Sequence, residues 1–226
     1  MRLITAQVGP LVAASANNIA QSQSPGAGAI ILNGTTVVSG VAFLDVARRV
    51  LLTSGGNDSA ITFTVKGTDW NGNTQSETLA GGNAAAVATA LDFATITSVT
   101  HIGTVAGTLT VGTNGVASTR PVFLDEYAFP QVGIQADATG TVNYTVQYSY
   151  DDPNQVAIRT MASSGIADFI GQGFKSINWI NAIDAALVNA TTTIGSTIAV
   201  SPKLLRVVLN SGTGSVALKA MQLQRA

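Results

Sequence analysis

Cysteine is absent from the 226-residue chain, and histidine occurs once, as His101. Without cysteine there is no disulfide framework, no Cys-ligated zinc or iron–sulfur cluster and no thiol nucleophile. A single histidine excludes metal sites built from several imidazoles and leaves one candidate for a Ser-His-Asp relay. We interpret His101 as a structural or surface residue, because it lies in a strand-like segment and no Gly-x-Ser-x-Gly motif accompanies it. The sequence therefore predicts a protein that is not an enzyme and has no cofactor and no metal.

Charged residues are also scarce, at 10% of the chain, against about 25% in an ordinary soluble protein. The 11 basic and 12 acidic residues give a net charge of −1. This balance lacks the basic footprint of a nucleic-acid binder and the polybasic stripe of a peripheral membrane protein. No apolar run is long enough for a membrane span, and residues 1–10 lack a signal-peptide pattern. We expect no nucleic-acid partner, no membrane partner and no export signal.

Apolar character is spread along the chain, with a mean hydropathy of +0.34. Neutral surfaces promote association, so this composition favours a rigid protein whose faces are covered by neighbouring subunits. The alternative is a monomer with a surface of Ser, Thr, Asn and Gln. We favour assembly and expect a homo-oligomer, with a trimer as one candidate.

Alternating side chains indicate strands. Residues 141–150 alternate without a break, with Val142, Tyr144, Val146 and Tyr148 on one face. Helical patterns are confined to residues 83–91 and 180–189. We predict an all-β fold, an antiparallel β-sandwich or jelly-roll-like architecture of two sandwich units with one or two short helices.

Turn residues predict three hairpins. Residues 67–73 contain the Asn-Gly step that favours a tight turn, as do residues 112–115, and residues 210–214 separate two apolar segments near the C-terminus. We place the domain boundary in the nearby 112–121 segment. The expected domains are residues 1–118, an N-terminal arm plus a β-sandwich, and residues 119–226, a second sandwich with an irregular excursion at about residues 161–193.

Four patterns allow a binding function, and each has a plainer interpretation. Asp69, Asn71 and Asn73 resemble part of a calcium loop, but a hairpin turn fits better because Ala80 stands where a bidentate Glu belongs. Asp151-Asp152-Pro153 is best explained as a turn, and Gly171–Ser176 fails the spacing of a phosphate loop. The aromatic residues that would form a sugar-stacking platform are more simply core or contact residues: Trp70, Trp179, Tyr144, Tyr148 and Tyr150.

Several segments resemble a family of structural proteins of tailed bacteriophages and prophages. They are residues 48–59 (RRVLLTSGGNDS), 61–69 (ITFTVKGTD), 140–148 (GTVNYTVQY) and 205–214 (LRVVLNSGTG), with Asp151-Asp152 following the third. The resemblance covers most of residues 1–154 and the last twenty or so residues, but not residues 161–193. It implies a virion component and carries over no catalytic residue.

The resemblance and the low charge together predict a non-enzymatic virion structural protein, made in the bacterial cytoplasm and located in the virion. We expect a capsid decoration or cement subunit whose partner is the major capsid protein. The alternative is a short-tail accessory, tail-fibre or adaptor module that contacts tail or connector proteins and binds a receptor or glycan. Edge strands and the apolar N-terminal segment are the expected docking elements. The candidate assembly contacts are Leu3, Ile4, Val8, Leu11, Val12 and Ile19.

Overall fold

A computed structural model describes residues 2–26, 28–125, 128, 131–153 and 177–222. The fold is all-β and antiparallel, as the alternation of side chains predicts. The strands of this part of the chain are β1 (Arg2–Val8), β2 (Ser15–Gln23), β3 (Gly28–Ala29), β4 (Val37–Val38), β5 (Val41–Ser54), β6 (Thr62–Thr68), β7 (Thr74–Ala80) and β8 (Ala86–Ile102). They continue with β9 (Leu109–Ser118), β10 (Val122–Phe123), β11 (Val132–Thr139), β12 (Val142–Ser149), β13 (Ile180–Asn181), β14 (Ile194–Ile198), β15 (Leu204–Gly212) and β16 (Ser215–Gln222).

The chain divides into two compact units. Residues 13–114 form the central unit, and residues 1–12 and 115–226 form the terminal unit. The N-terminal segment belongs to the terminal unit because β1 pairs with β16 along its whole length, from Arg2 opposite Gln222 to Val8 opposite Val216. The N-terminal arm expected from the sequence contains β1 and β2, and both strands pair within the sheets.

The terminal unit is sandwich-like. One sheet has the strand order β1-β16-β11-β14, and the other contains β13, β12 and β15, with β10 beside β15. Strands of the two sheets contact each other. Their inward side chains are buried because period-two alternation places every second residue on the same face. These buried residues are Val132, Ile134, Ala136, Val142, Tyr144, Val146, Val216 and Leu218.

The central unit is built on one sheet with the strand order β9-β5-β8-β6-β7. Short strands extend it, because β2 pairs with β9, β3 with β8 and β4 with β5. Strands β5 and β8 are long, at 14 and 17 residues, and their pairing shifts register twice. Such shifts bend a strand and increase its twist. The bent strands pack around a core cluster that contains Ile19, Leu52, Phe63, Phe93 and Leu109.

The helix expected over residues 83–91 is wrong. Ala86 begins β8 and lies opposite Thr53, and Val87 and Ala88 lie opposite Leu52 and Leu51. Alanine favours a helix only weakly per residue, so the backbone partners that β5 supplies decide the outcome. The other expected helix, over residues 180–189, is β13 followed by a 3-10 turn at Ala185–Leu187.

Of the three predicted hairpins, only one pairs as predicted. Strands β6 and β7 pair from Thr62 opposite Ala80 to Thr68 opposite Thr74. Residues 112–115 lie inside β9, so no turn forms there. The turn after β15 does not return the chain alongside β15, because β15 pairs with β12 while β16 pairs with β1 and β11 in the other sheet. The C-terminal pair is thus an arch between two sheets.

Part of the predicted excursion lies outside the described residues, as does the Gly171–Ser176 segment. Residues 177–193 contain β13 and the 3-10 turn. No helix in the described ranges is long and apolar enough to cross a membrane.

Candidate assembly surface

The six candidate assembly residues occupy two different environments. Val8, Leu11 and Ile19 are only 3%, 5% and 0% exposed, so their side chains pack within this chain. Leu3 and Val12 are exposed, at 61% and 65%, and Ile4 is half-buried. Leu3 and Val12 are therefore the members of the set that present most apolar surface to solvent.

Leu3 lies on an edge strand. In the sheet order β1-β16-β11-β14, β1 has β16 as its one strand neighbour. Within the described part of the chain, residues 2–8 make no backbone–backbone hydrogen bond outside that strand pairing. Such an edge presents alternate N–H and C=O groups, which an extended segment of another chain can pair with. We call this the β1 edge.

An apolar patch adjoins the β1 edge. Leu3 lies directly opposite Met221, and Met221 lies directly opposite Gly133 on the next strand. Met221 is 44% exposed. A Cβ placed on Gly133 would lie 3.9 Å from the Cβ and 4.0 Å from the Cε of Met221, so the thioether extends over the glycine. Methionine adapts its shape readily to irregular partners. We call Leu3, Met221 and Gly133 the Leu3–Met221 patch.

A polar group borders the patch on the same face of the sheet. Lys219 lies two residues from Met221, and its Nζ is 2.5 Å from Oδ2 of Asp137. Gln135 Nε2 donates to Oδ1 of Asp137 at 2.6 Å. The Lys219 hydrogen bond, together with the Gln135 bond and the lysine charge, lowers the pKa of Asp137, while desolvation opposes the shift. The patch is thus bounded by a neutralised ion pair.

Sequence reasoning missed Met221 and the Lys219–Asp137 pair. The alternation of β16 would place Lys219 and Met221 on one face. However, no local signal identifies β1 and β11 as the neighbours of β16, since these strands are distant in the sequence. The patch depends on that pairing.

His101 is a buried residue of the central unit. Its side chain is 5% exposed, its Nδ1 lies 3.0 Å from the carbonyl oxygen of Gly103, and its ring lies 5.8 Å from that of Phe63. Among the residues that the structure describes, no group of three or more His, Cys, Asp or Glu residues would hold a metal ion. The imidazole therefore packs as part of the central-unit core.

Asp69 stabilises a hairpin. Its Oδ1 accepts the N–H groups of Asn71 and Asn73 at 2.8 and 2.9 Å, and its Oδ2 accepts the Asn73 amide at 3.2 Å. Asp69 is 6% exposed. Both carboxylate oxygens of Asp69 therefore accept hydrogen bonds from the turn, as the hairpin interpretation of this motif expects.

Asp151 makes one local and one long-range hydrogen bond. Its N–H donates to Ser149 Oγ at 3.1 Å, and its Oδ2 accepts the N–H of Asn178 at 2.7 Å. These bonds tie the end of β12 to the segment that leads into β13. The turn expected at Asp151-Asp152-Pro153 stays a prediction, because the chain that follows Pro153 lies outside the described residues.

Two of the five aromatic residues considered for a sugar-stacking platform are core residues. Tyr144 and Tyr148 are buried, at 0% and 5% exposure, so they belong to the core of the terminal unit. The Arg206 guanidinium carbon lies 4.1 Å from the centroid of the Trp179 ring. Arg206 Nε also donates to Gln147 Oε1 at 2.9 Å. One face of Trp179 is therefore already occupied by a cation–π contact.

A comparison of the chain with family models found no match. Comparisons with the curated proteins and with the solved structures found no significant similarity.

Proposed function

We propose that this protein is a non-enzymatic structural subunit of a tailed-bacteriophage virion and that it decorates and stabilises the assembled capsid. The Leu3–Met221 patch beside the β1 edge carries this proposal. It offers an apolar surface and backbone pairing groups in one place. The scarcity of charge supports the same function, because a surface with few ionic groups costs little to desolvate on contact.

The mechanism is stabilisation by mass action. A subunit that binds the assembled lattice and not its separated components shifts the equilibrium toward the lattice. An extended segment of the capsid protein would pair with the β1 edge while its apolar side chains cover Leu3 and Met221. Full burial of one such side chain is worth about 1.5–3 kcal/mol. In a homo-oligomer, several linked copies of the patch would bind neighbouring capsid sites at once, which raises the occupancy.

The test is the double variant Leu3→Ser, Met221→Ser, added to particles that lack the protein. We expect its occupancy on sedimented particles to fall by about tenfold or more, because the patch loses its apolar side chains. Val38→Ser is the matched control. Val38 is 63% exposed but lies in the central unit, so its replacement should leave occupancy unchanged.

Full occupancy by the double variant, in a protein whose circular dichroism is unchanged, would refute the role of this surface. Copy number on a stained gel of virions separates the capsid from the alternative location. Hundreds of copies support decoration of the shell, whereas about six to eighteen copies would place the subunit in the tail and overturn the decoration role.

A further inference from the structure

Three Asn-Gly steps occur in the chain, at Asn33-Gly34, Asn71-Gly72 and Asn114-Gly115. Asparagine is thermolabile, and glycine after it presents the least steric hindrance to attack by its own backbone nitrogen. In an unfolded chain the three steps would react at similar rates. The fold makes them different, because the contacts that must open before the reaction differ from one step to the next.

Asn33-Gly34 is held at both of the reacting groups. The Oδ1 of Asn33 accepts the N–H of Gln21 at 2.8 Å, and the Gly34 nitrogen donates to the carbonyl of Ile19 at 3.0 Å. A Cβ on Gly34 would lie 2.1 Å from the Asn18 carbonyl oxygen, so the two backbones are in close contact. Attack would require both hydrogen bonds and this contact to open together.

Asn114-Gly115 is held by a buried arginine. The step lies inside β9, and the Asn114 carbonyl oxygen accepts a hydrogen bond from Nη2 of Arg48. The Arg48 side chain is 1% exposed, and its Nη1 is 3.1 Å from Oδ1 of Asp45. Rotation of this peptide plane would therefore disrupt a buried charge-assisted bond, which is costly.

Asn71-Gly72 lies at the exposed tip of the β6–β7 hairpin. Both residues are exposed, Gly72 has φ +81°, and its Cβ position has no atom within 4 Å. The Gly72 nitrogen makes one turn bond, to the Asp69 carbonyl at 3.1 Å. Breaking one bond at a hairpin tip is a local fluctuation of low free energy.

We propose that Asn71 is a site of spontaneous deamidation that the fold leaves reactive while it protects Asn33 and Asn114. The Gly72 nitrogen attacks Cγ of Asn71, the new N–Cγ bond forms, and the bond to the side-chain nitrogen breaks. Ammonia leaves with the proton from Gly72. Water then opens the five-membered succinimide ring and gives aspartate or isoaspartate, with water as the one co-reactant and no change in oxidation state.

Deamidation of Asn71 places a new carboxylate next to a turn that the Asp69 carboxylate already stabilises. Oδ1 of Asp69 binds the N–H groups of residues 71 and 73, and a second negative charge nearby weakens that arrangement. Isoaspartate also lengthens the backbone by one methylene between these two donors. Modification of Asn71 therefore loosens the hairpin that contains β7, the last strand in the sheet order.

The test incubates the full-length protein in mildly alkaline buffer, folded or in denaturant, and measures each site by peptide mass mapping with isoaspartate detection. In the folded protein we expect modification at Asn71 to exceed that at Asn33 and Asn114 by about tenfold or more, and in denaturant we expect the three rates to converge. Asn71→Gln should abolish the acidic species that accumulates on isoelectric focusing, whereas Asn33→Gln should leave it.

Two results would overturn the proposal. One is reaction of Asn33 or Asn114 in the folded protein at the rate of Asn71. The other is an intact Asn71 in folded protein under conditions in which the denatured chain reacts at all three steps.

Discussion

The two units turn their chains in different ways. In the terminal unit the turns at residues 140–141 and 213–214 carry the chain from one sheet to the other, β11 to β12 and β15 to β16. In the central unit the chain stays in one sheet, and the long strands bend within it. The terminal unit thus changes the direction of its chain through close backbone contacts. The central unit does so with side chains that form hydrogen bonds to the backbone at the bend.

Glycines allow the two arches of the terminal unit to touch. A Cβ on Gly214 would lie 2.2 Å from the Thr139 carbonyl oxygen, and one on Gly212 would lie 2.2 Å from that of Thr141. Gly212 also has φ +105°, a conformation that glycine adopts at little cost. The nearest atom to each of these positions is a backbone carbonyl oxygen, which cannot yield as the end of a flexible side chain can.

At the bend of β8, polar side chains allow the chain to change direction. Glu77 accepts the N–H groups of Ala90 and Leu91 at 2.8 and 2.9 Å, and Gln75 Nε2 donates to the carbonyl of Asp92. The Thr89 hydroxyl accepts the Val50 N–H. These groups replace a neighbouring strand where the ladder is interrupted, which satisfies buried backbone that would otherwise be unpaired.

Gly214→Ala should have the largest effect on stability. The added methyl group overlaps a carbonyl oxygen that is itself fixed in β11, so we expect a loss of about 3 kcal/mol in the free energy of unfolding. Urea titration of a Trp70→Phe variant, in which Trp179 reports on the terminal unit, measures it.

Gly195→Ala is the matched control for this substitution. Gly195 lies in β14 of the same unit, and nothing lies within 4 Å of its Cβ position. Its replacement should change stability by no more than about 0.5 kcal/mol. An equal loss from both substitutions would show that the close approach at the corner is not the cause.

Glu77→Gln should destabilise the central unit by about 2 kcal/mol. The amide keeps the shape of the carboxylate, but its NH₂ group faces a backbone N–H that needs an acceptor. Trp70 reports on this unit in a Trp179→Phe background. Thr78→Ala, at the exposed neighbouring position, should be close to neutral. A neutral Glu77→Gln would mean that the two N–H groups find other acceptors and that side chains do not sustain the bend.

The sequence predicts the strands of both units better than their partners. Alternation correctly places Tyr144 and Val146 inside, and the Asp69 turn forms as its residues suggest. The turn at residues 213–214 has the same composition as a hairpin turn, yet it joins two sheets, because pairing of β16 with β1 and β11 is a long-range event. The Leu3–Met221 patch could not be predicted for the same reason. Its two apolar residues are more than two hundred positions apart and are brought together by the register of β1 and β16.

Among the predicted effects on the free energy of unfolding, we expect that of the Lys219–Asp137 pair, which depends on pH, to be the smallest. The pKa of Asp137 is lowered, chiefly by the Lys219 hydrogen bond, so the pair stabilises the folded state above the ordinary aspartate pKa and loses this contribution as pH falls through the folded value. Asp137→Asn should therefore reduce stability at neutral pH by less than about 1 kcal/mol, because both groups are partly exposed. The difference from the parent should vanish well below about pH 4.

A comparison of Asp137 with Asp184 separates the contribution of charge to stability from that of hydrogen bonding. The pKa of Asp184 is also lowered, but by the Ser196 hydroxyl and the Ala186 N–H, which are uncharged donors. In about 1 M salt the effect of Asp137→Asn should shrink, since exposed ion pairs are screened, whereas the effect of Asp184→Asn should persist. Equal salt responses in urea titrations would show that Lys219 holds Asp137 through geometry and not through charge. The ion pair at the border of the Leu3–Met221 patch would then be insensitive to ionic strength.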